Sequence, residues 1–263
     1  MHRSHRILGS LSAIAILFAA STASATTVQL SASKDNTLYQ QASGTLSNGA
    51  GSFFFAGNSG ANEIRRGLIA FDIASAVPAG ATINSATLTL HMSQTTSGLQ
   101  SVELHRASAS WGEGTSDATG GEGGGAPSTT NDATWIHRMF NTVFWAAAGG
   151  DYAPAASATQ GVLDTTFYSW TGSGVVTDVQ SWLDTPANNF GWALTGNESI
   201  ASTAKRFDSR QNAITTVRPV LTVNYSERVP AASPLASAIL SIGLIAFGAA
   251  IVRRRRRSPG RRA

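Results

Sequence analysis

Apolar residues in the middle of this 263-residue chain return at every second position. Leu88, Leu90 and Met92 alternate with Thr87, Thr89 and His91, Val102 and Leu104 with Glu103 and His105, and Leu221, Val223 and Tyr225 with Thr222 and Asn224. Successive side chains of an extended strand point to opposite faces, so each run reads as a strand with one buried and one wet face. Leu68-Ile69-Ala70-Phe71-Asp72-Ile73 is apolar on both faces, as a central strand would be, and Val77-Pro78-Ala79-Gly80 closes it with turn chemistry. Glycine is abundant, with 26 residues, and charged residues make up only 13% of the chain, which favours short strands and turns over helices. The economical architecture is an all-β, antiparallel β-sandwich. With no cysteine, disulfides, thiolate zinc sites and cysteine nucleophiles are excluded, and stability must come from packing.

One segment breaks the two-residue period. Val175, Val179 and Trp182 fall at i, i+4 and i+7, with Ser173 placed to cap, so residues 174–184 are expected to form a single short helix ended by Pro186 and Asn188-Asn189. Its apolar stripe is expected to close one end of the sandwich, with Trp182 as a core plug.

Both ends read as addresses. Residues 1–25 carry Arg3 and Arg6, an apolar run from Ile7 to Ala20, and small residues at Ala23 and Ala25; this is the pattern of an export signal cut after Ala25. Leu235 to Val252 is uncharged for 18 residues and is followed by Arg253, Arg254, Arg255, Arg256 and Arg257. At about 1.5 Å per residue it reaches about 27 Å, enough for a membrane span. The arginines place the 253–263 tail in the cytoplasm, and the 26–228 body outside the inner membrane. The ends also distort the net charge of +4: nine of the 19 cations lie in them, whereas all 15 acids lie in the body, which therefore carries 10 − 15 = −5. An acidic body repels phosphate and speaks against nucleic-acid binding.

Two long loops interrupt the strands. Trp111 to Thr134 holds seven glycines with Glu113, Asp117, Glu122 and Asp132, and reads as a solvated loop. Its acids match no calcium-loop spacing, and calcium remains a possible but unassigned ligand. His137 to Phe167 carries Phe140, Phe144, Trp145 and Tyr152, an aromatic density that speaks against disorder. His91 and His105 are expected on exposed strand faces. No HExxH or GxSxG motif is present.

Several stretches, in this order, resemble the DNRLRE-type domain, a secreted β-sandwich family related to disaggregatases and to jelly-roll carbohydrate-binding modules. They include Lys34-Asp35-Asn36, Arg65-Arg66-Gly67-Leu68, Trp111-Gly112-Glu113, Ala133-Thr134-Trp135, Val179-Gln180-Ser181-Trp182 and Phe207-Asp208-Ser209-Arg210. The family usually has Glu after the Ser-Arg pair, whereas Gln211 stands here. The resemblance implies a jelly-roll fold and contact with polysaccharide. Sugars stack on exposed rings and bond to polar side chains, which makes Trp145, Tyr152 and Trp111 the candidate platforms. Asp208 and Arg210 are candidate contacts, with a structural ion pair between them as the bland reading. Trp135, Trp170 and Trp192 are assigned to core.

Val229-Pro230, Pro234, the apolar stretch and the arginine block are similar in order to PEP-CTERM sorting signals, which implies an exosortase-type protease as partner; the Glu usual between the two prolines is missing. The expectation is an exported, non-catalytic envelope or matrix protein that interacts with polysaccharide. Two alternatives stand beside it: a lyase or glycosidase using carboxylates such as Glu63, Glu113 or Asp164, and a structural surface protein without a ligand site.

Overall fold

The computed structural model describes residues 24–228, which form one compact unit. Residues 1–23 of the expected 1–25 signal segment and the expected sorting segment from Val229 lie outside the described residues, whereas Ala25, the last residue of the expected signal, is the first residue of a strand. Among the described residues no helix is long and apolar enough to cross a membrane.

The alternating runs are strands, and apart from one helix and two short 3-10 turns the regular structure of the unit is β. In chain order they are β1 (Ala25–Ser31), β2 (Lys34–Tyr39), β3 (Leu46–Ser47), β4 (Phe53–Asn58), β5 (Ile64–Ala70), β6 (Thr82–Thr95), β7 (Gln100–Arg106) and β8 (Ala126–Pro127). Then come β9 (His137–Met139), β10 (Val143–Phe144), β11 (Ala158–Val162), β12 (Thr166–Thr171), α1 (Ser173–Asp184), β13 (Trp192–Thr195), β14 (Lys205–Asp208) and β15 (Val220–Ser226). Eleven of the strands make one antiparallel sheet in the order β1-β15-β6-β14-β4-β5-β13-β7-β11, with β12 also on β6 and β2 also on β5. The sheet turns a corner at β4. Its first residues pair with β14, while Gly57 and Asn58 pair with Arg65 and Ile64 of β5. Gly57 has φ 119°, and a Cβ there would meet the Ala204 backbone at 2.9 Å, so the corner requires glycine.

The two halves of the curled sheet face each other across the main core in sandwich fashion. Leu88, Leu90, Leu221 and Trp170 from one half are buried with Ile69, Leu104, Trp192 and Leu194 from the other. Fully burying a side chain of this kind is worth about 1.5–3 kcal/mol. Leu68 and Ala70 point the opposite way, into a second core with Leu38, Trp111, Ala133, Trp135 and Trp145. The long loops cover this outer face, which explains why the β5 sequence is apolar on both sides.

The helix forms where its periodicity places it, with Val175, Val179, Trp182 and Leu183 buried in the main core. Ser173 is not its cap: Gly172, with φ 121°, holds that position, and no side chain caps the first turn. The loop from Trp111 to Thr134 is not a solvated one. Ser116, Glu122 and Asp132 are buried in it. Glu122 accepts from Asn48 Nδ2 (2.7 Å) and from the amides of Ser52 (3.1 Å) and Phe53 (2.9 Å), and Asp132 accepts from the Thr129 amide (2.5 Å). Glu122 and Asp132 are thus spent on backbone donors that would otherwise be unsatisfied, which lets a polar segment pack.

Candidate ligand cleft

Three segments far apart in sequence build an open cleft of about 810 Å³. Leu99 and, along β7, Gln100, Ser101, Glu103 and His105 form its floor. Thr195 and the loop Gly196 to Ser199 after β13 form one wall, and Tyr152 and Pro154 form the other. β13 lies between β5 and β7, so the sheet fixes floor and wall together.

Tyr152 is half-buried, and its backbone bridges Ala107. Its ring centroid is 5.2 Å from His105, and the Arg66 guanidinium lies over its ring at 5.5 Å. Burial pushes the phenol above its ordinary value, Arg66 acting in the opposite sense, so the hydroxyl stays protonated at neutral pH. No side-chain or backbone partner holds that hydroxyl among the described residues. Arg66 is itself fixed, with Nε and Nη2 each 2.7 Å from a Glu198 carboxylate oxygen, Nη1 donating to Gly149 O at 2.9 Å, and Trp135 beneath it at 4.8 Å. A bidentate pair of this kind holds its shape. Asn197 Nδ2 donates to Gln100 Oε1 at 2.9 Å across the cleft.

His105 is buried, contrary to its expected exposure, because Tyr152 and Ala153 close over that end of β7. Its Nδ1 donates to Ala153 O at 2.9 Å, and its Nε2 stands 3.2 Å from Glu103 Oε2. His91 is also engaged, with Nδ1 2.5 Å from Asp208 Oδ2.

Of the sequence candidates, Tyr152 alone lines this cleft. Trp145 is buried in the second core with Nε1 donating to Thr134 O at 2.9 Å, and Trp111 is buried with Nε1 donating to Phe190 O at 2.8 Å. Neither ring offers a stacking face. Asp208 and Arg210 do not pair with each other. Asp208 holds His91 and Asn212 Nδ2 (2.8 Å), whereas Arg210 forks onto Glu113 at 2.6 and 2.5 Å. Trp135, Trp170, Trp182 and Trp192 are buried as expected. The candidate acids also stand elsewhere: Glu63 pairs with Arg65, Glu113 with Arg210, and none of Glu63, Glu113 and Asp164 lines the cleft.

Lys34-Asp35-Asn36, Trp111-Gly112-Glu113 and Ser209-Arg210-Gln211 instead meet in one polar cluster. Asp35 is buried and accepts from the Arg210 amide at 2.7 Å, while its own amide donates to Glu113 Oε1 at 2.9 Å. Burial pushes the Asp35 carboxyl up to about 8, with Glu113 adding to the rise and Arg210 opposing it. Burial pushes the Lys34 ammonium down to about 8; it donates to Trp111 O at 2.5 Å and sits 4.0 Å over the Trp111 ring. Gln211 Nε2 donates to Glu113 Oε1 at 3.0 Å and to Gly49 O at 2.8 Å. A glutamate there would set two carboxylates together, so glutamine fits this cluster. Its contacts are internal and tie the long loop to β2 and to the segment after β14.

A second cleft, about 530 Å³, lies between Arg206, Phe55 and Thr95 of the sheet and Gly121 to Gly124 of the long loop. Among the described residues no three imidazole or carboxylate groups converge as a metal cage. No protein-family model matches the chain, and no curated protein is detectably similar to it in sequence.

Proposed function

We propose that this chain is an exported, non-catalytic protein of the cell envelope or extracellular matrix, and that a jelly-roll β-sandwich holds polysaccharide in the cleft beside Tyr152. One observation carries the reading: a half-buried tyrosine ring with an uncommitted hydroxyl stands in a wide, polar cleft beside Asn197, Gln100 and Ser199. A ring of this kind supplies an apolar face for sugar C–H groups, and amides and hydroxyls supply bonds to sugar hydroxyls. A phenol that stays protonated suits hydrogen bonding better than proton abstraction. Export and retention rest on the 1–25 signal pattern and on the 229–263 segment, which serves as an inner-membrane anchor or as the substrate of an exosortase-type protease.

The test is affinity electrophoresis of the full chain through gels containing a panel of polysaccharides, with a parallel assay for new reducing ends and unsaturated products. Retardation by one class, lost in Tyr152→Ala and without product release, supports the reading. Product release would identify an enzyme, and free migration through every gel would leave a structural surface protein.

A further inference from the structure

The charge of the same cleft narrows its ligand. Among its lining residues the charged side chains are Glu103 and Glu198, with His105 the one further titratable base; no lysine or arginine lines it. The two carboxylates differ in availability. Glu198 is neutralised by Arg66 through two 2.7 Å bonds. Glu103 has a side chain 46% exposed and bonds only to His105, through Oε2, which leaves Oε1 without a hydrogen-bond partner among the described residues. His105 presents Nε2 beside that carboxylate while Nδ1 is committed to Ala153 O. The Glu103 carboxylate thus sits next to a stacking ring, bonded to His105 through one oxygen only, in a body whose net charge is 10 − 15 = −5. A ligand carboxylate here would meet like charge, whereas a ligand ammonium would find the second Glu103 oxygen as its acceptor.

We infer that the sugar selected by the cleft carries a free amino group: a polysaccharide with deacetylated hexosamine units, read by Glu103 while Tyr152 stacks on the ring. This inference rests on the polysaccharide reading above. It assigns Glu103 the choice among sugars and leaves Tyr152 the general contact.

The experiment titrates the full chain, Glu103→Gln and Tyr152→Ala with three oligosaccharides of equal length: poly-glucosamine, its fully N-acetylated form and a polyuronate. For the wild type, poly-glucosamine is expected to bind tightest. Glu103→Gln is expected to weaken that binding about fivefold, the size of a half-exposed ion pair, and to leave binding of the N-acetylated form within about twofold. Raised salt is expected to erase the amino preference. Equal binding of the amino and N-acetylated forms with no effect of Glu103→Gln, or tightest binding of the polyuronate, overturns the inference while leaving the polysaccharide site standing. No binding of any of the three, with Tyr152→Ala indistinguishable from wild type, counts against both. Glu103→Gln changes a half-exposed side chain, so its fold serves as its own control by circular dichroism.

Discussion

Replacing Asp35 by asparagine is expected to stabilise the protein at neutral pH and to do little in acid. Asp35 is fully enclosed between the Arg210 amide and Glu113, and burial raises its carboxyl from 3.8 to about 8. Between those values the folded chain holds a proton that the unfolded chain has released, so wild-type stability falls as pH rises through the window. One proton of difference amounts to about 1.4 kcal/mol per pH unit, or on the order of 3 kcal/mol over two units between about pH 5 and about pH 7. That is a large share of the roughly 5–15 kcal/mol that holds a domain folded. Asparagine keeps an oxygen for the Arg210 amide and has nothing to ionise. Asp132 is also raised by burial, but it titrates in both proteins and cancels in the difference. Lys34, lowered by burial to about 8, adds stability only as pH rises from there towards 10.5, outside the window. Urea unfolding followed by tryptophan fluorescence at several pH values should show the gap between Asp35→Asn and wild type widening by about 1.4 kcal/mol per unit. Two parallel stability curves would refute the reasoning, as would wild-type stability that rises over this range.

Other substitutions probe the frame around the cleft. Gly191→Ala places a Cβ 2.1 Å from Ile69 O at a residue with φ +74°, so it should disturb β13 against β5 and lower the urea midpoint by more than any exposed substitution. Lys205→Met removes a buried ammonium from the carbonyls of Ser97 (3.2 Å) and Gly98 (2.7 Å), and should cost about 1–3 kcal/mol by the same measurement. Trp145→Phe leaves Thr134 O without its donor and should cost about 1–3 kcal/mol while leaving oligosaccharide affinity unchanged; a loss of binding without a loss of stability would return Trp145 to the site.

The strands and the helix were legible in the sequence because periodicity is a local signal: Leu88, Leu90 and Met92 had to share a face, and Val175, Val179 and Trp182 a stripe. The second core was not. It arises where loops fold back over β5, and only the two-sided apolarity of Leu68 to Ala70 hinted at it. For the same reason Trp145 and Trp111 read like platforms although both are sealed under those loops, and Glu122 reads as solvated although its partners are Asn48 and the amides of Ser52 and Phe53, some 70 residues away. Asp208 and Arg210 are close in sequence, yet the chain leaves β14 between them, and Arg210 finds Glu113 97 residues away. Tyr152 was legible as an aromatic in a long loop, but His105, Glu103 and Asn197 were not, since a cleft wall assembled from three segments leaves no spacing to read.

Hydrogen–deuterium exchange of the full chain, with and without a saturating oligosaccharide, tests the central assignment most directly. The cleft account predicts protection in peptides covering residues 97–106, 150–156 and 195–200, and its loss in Tyr152→Ala. Protection confined to the long loop and β14 around Arg206, with the Tyr152 peptides unchanged, would contradict it.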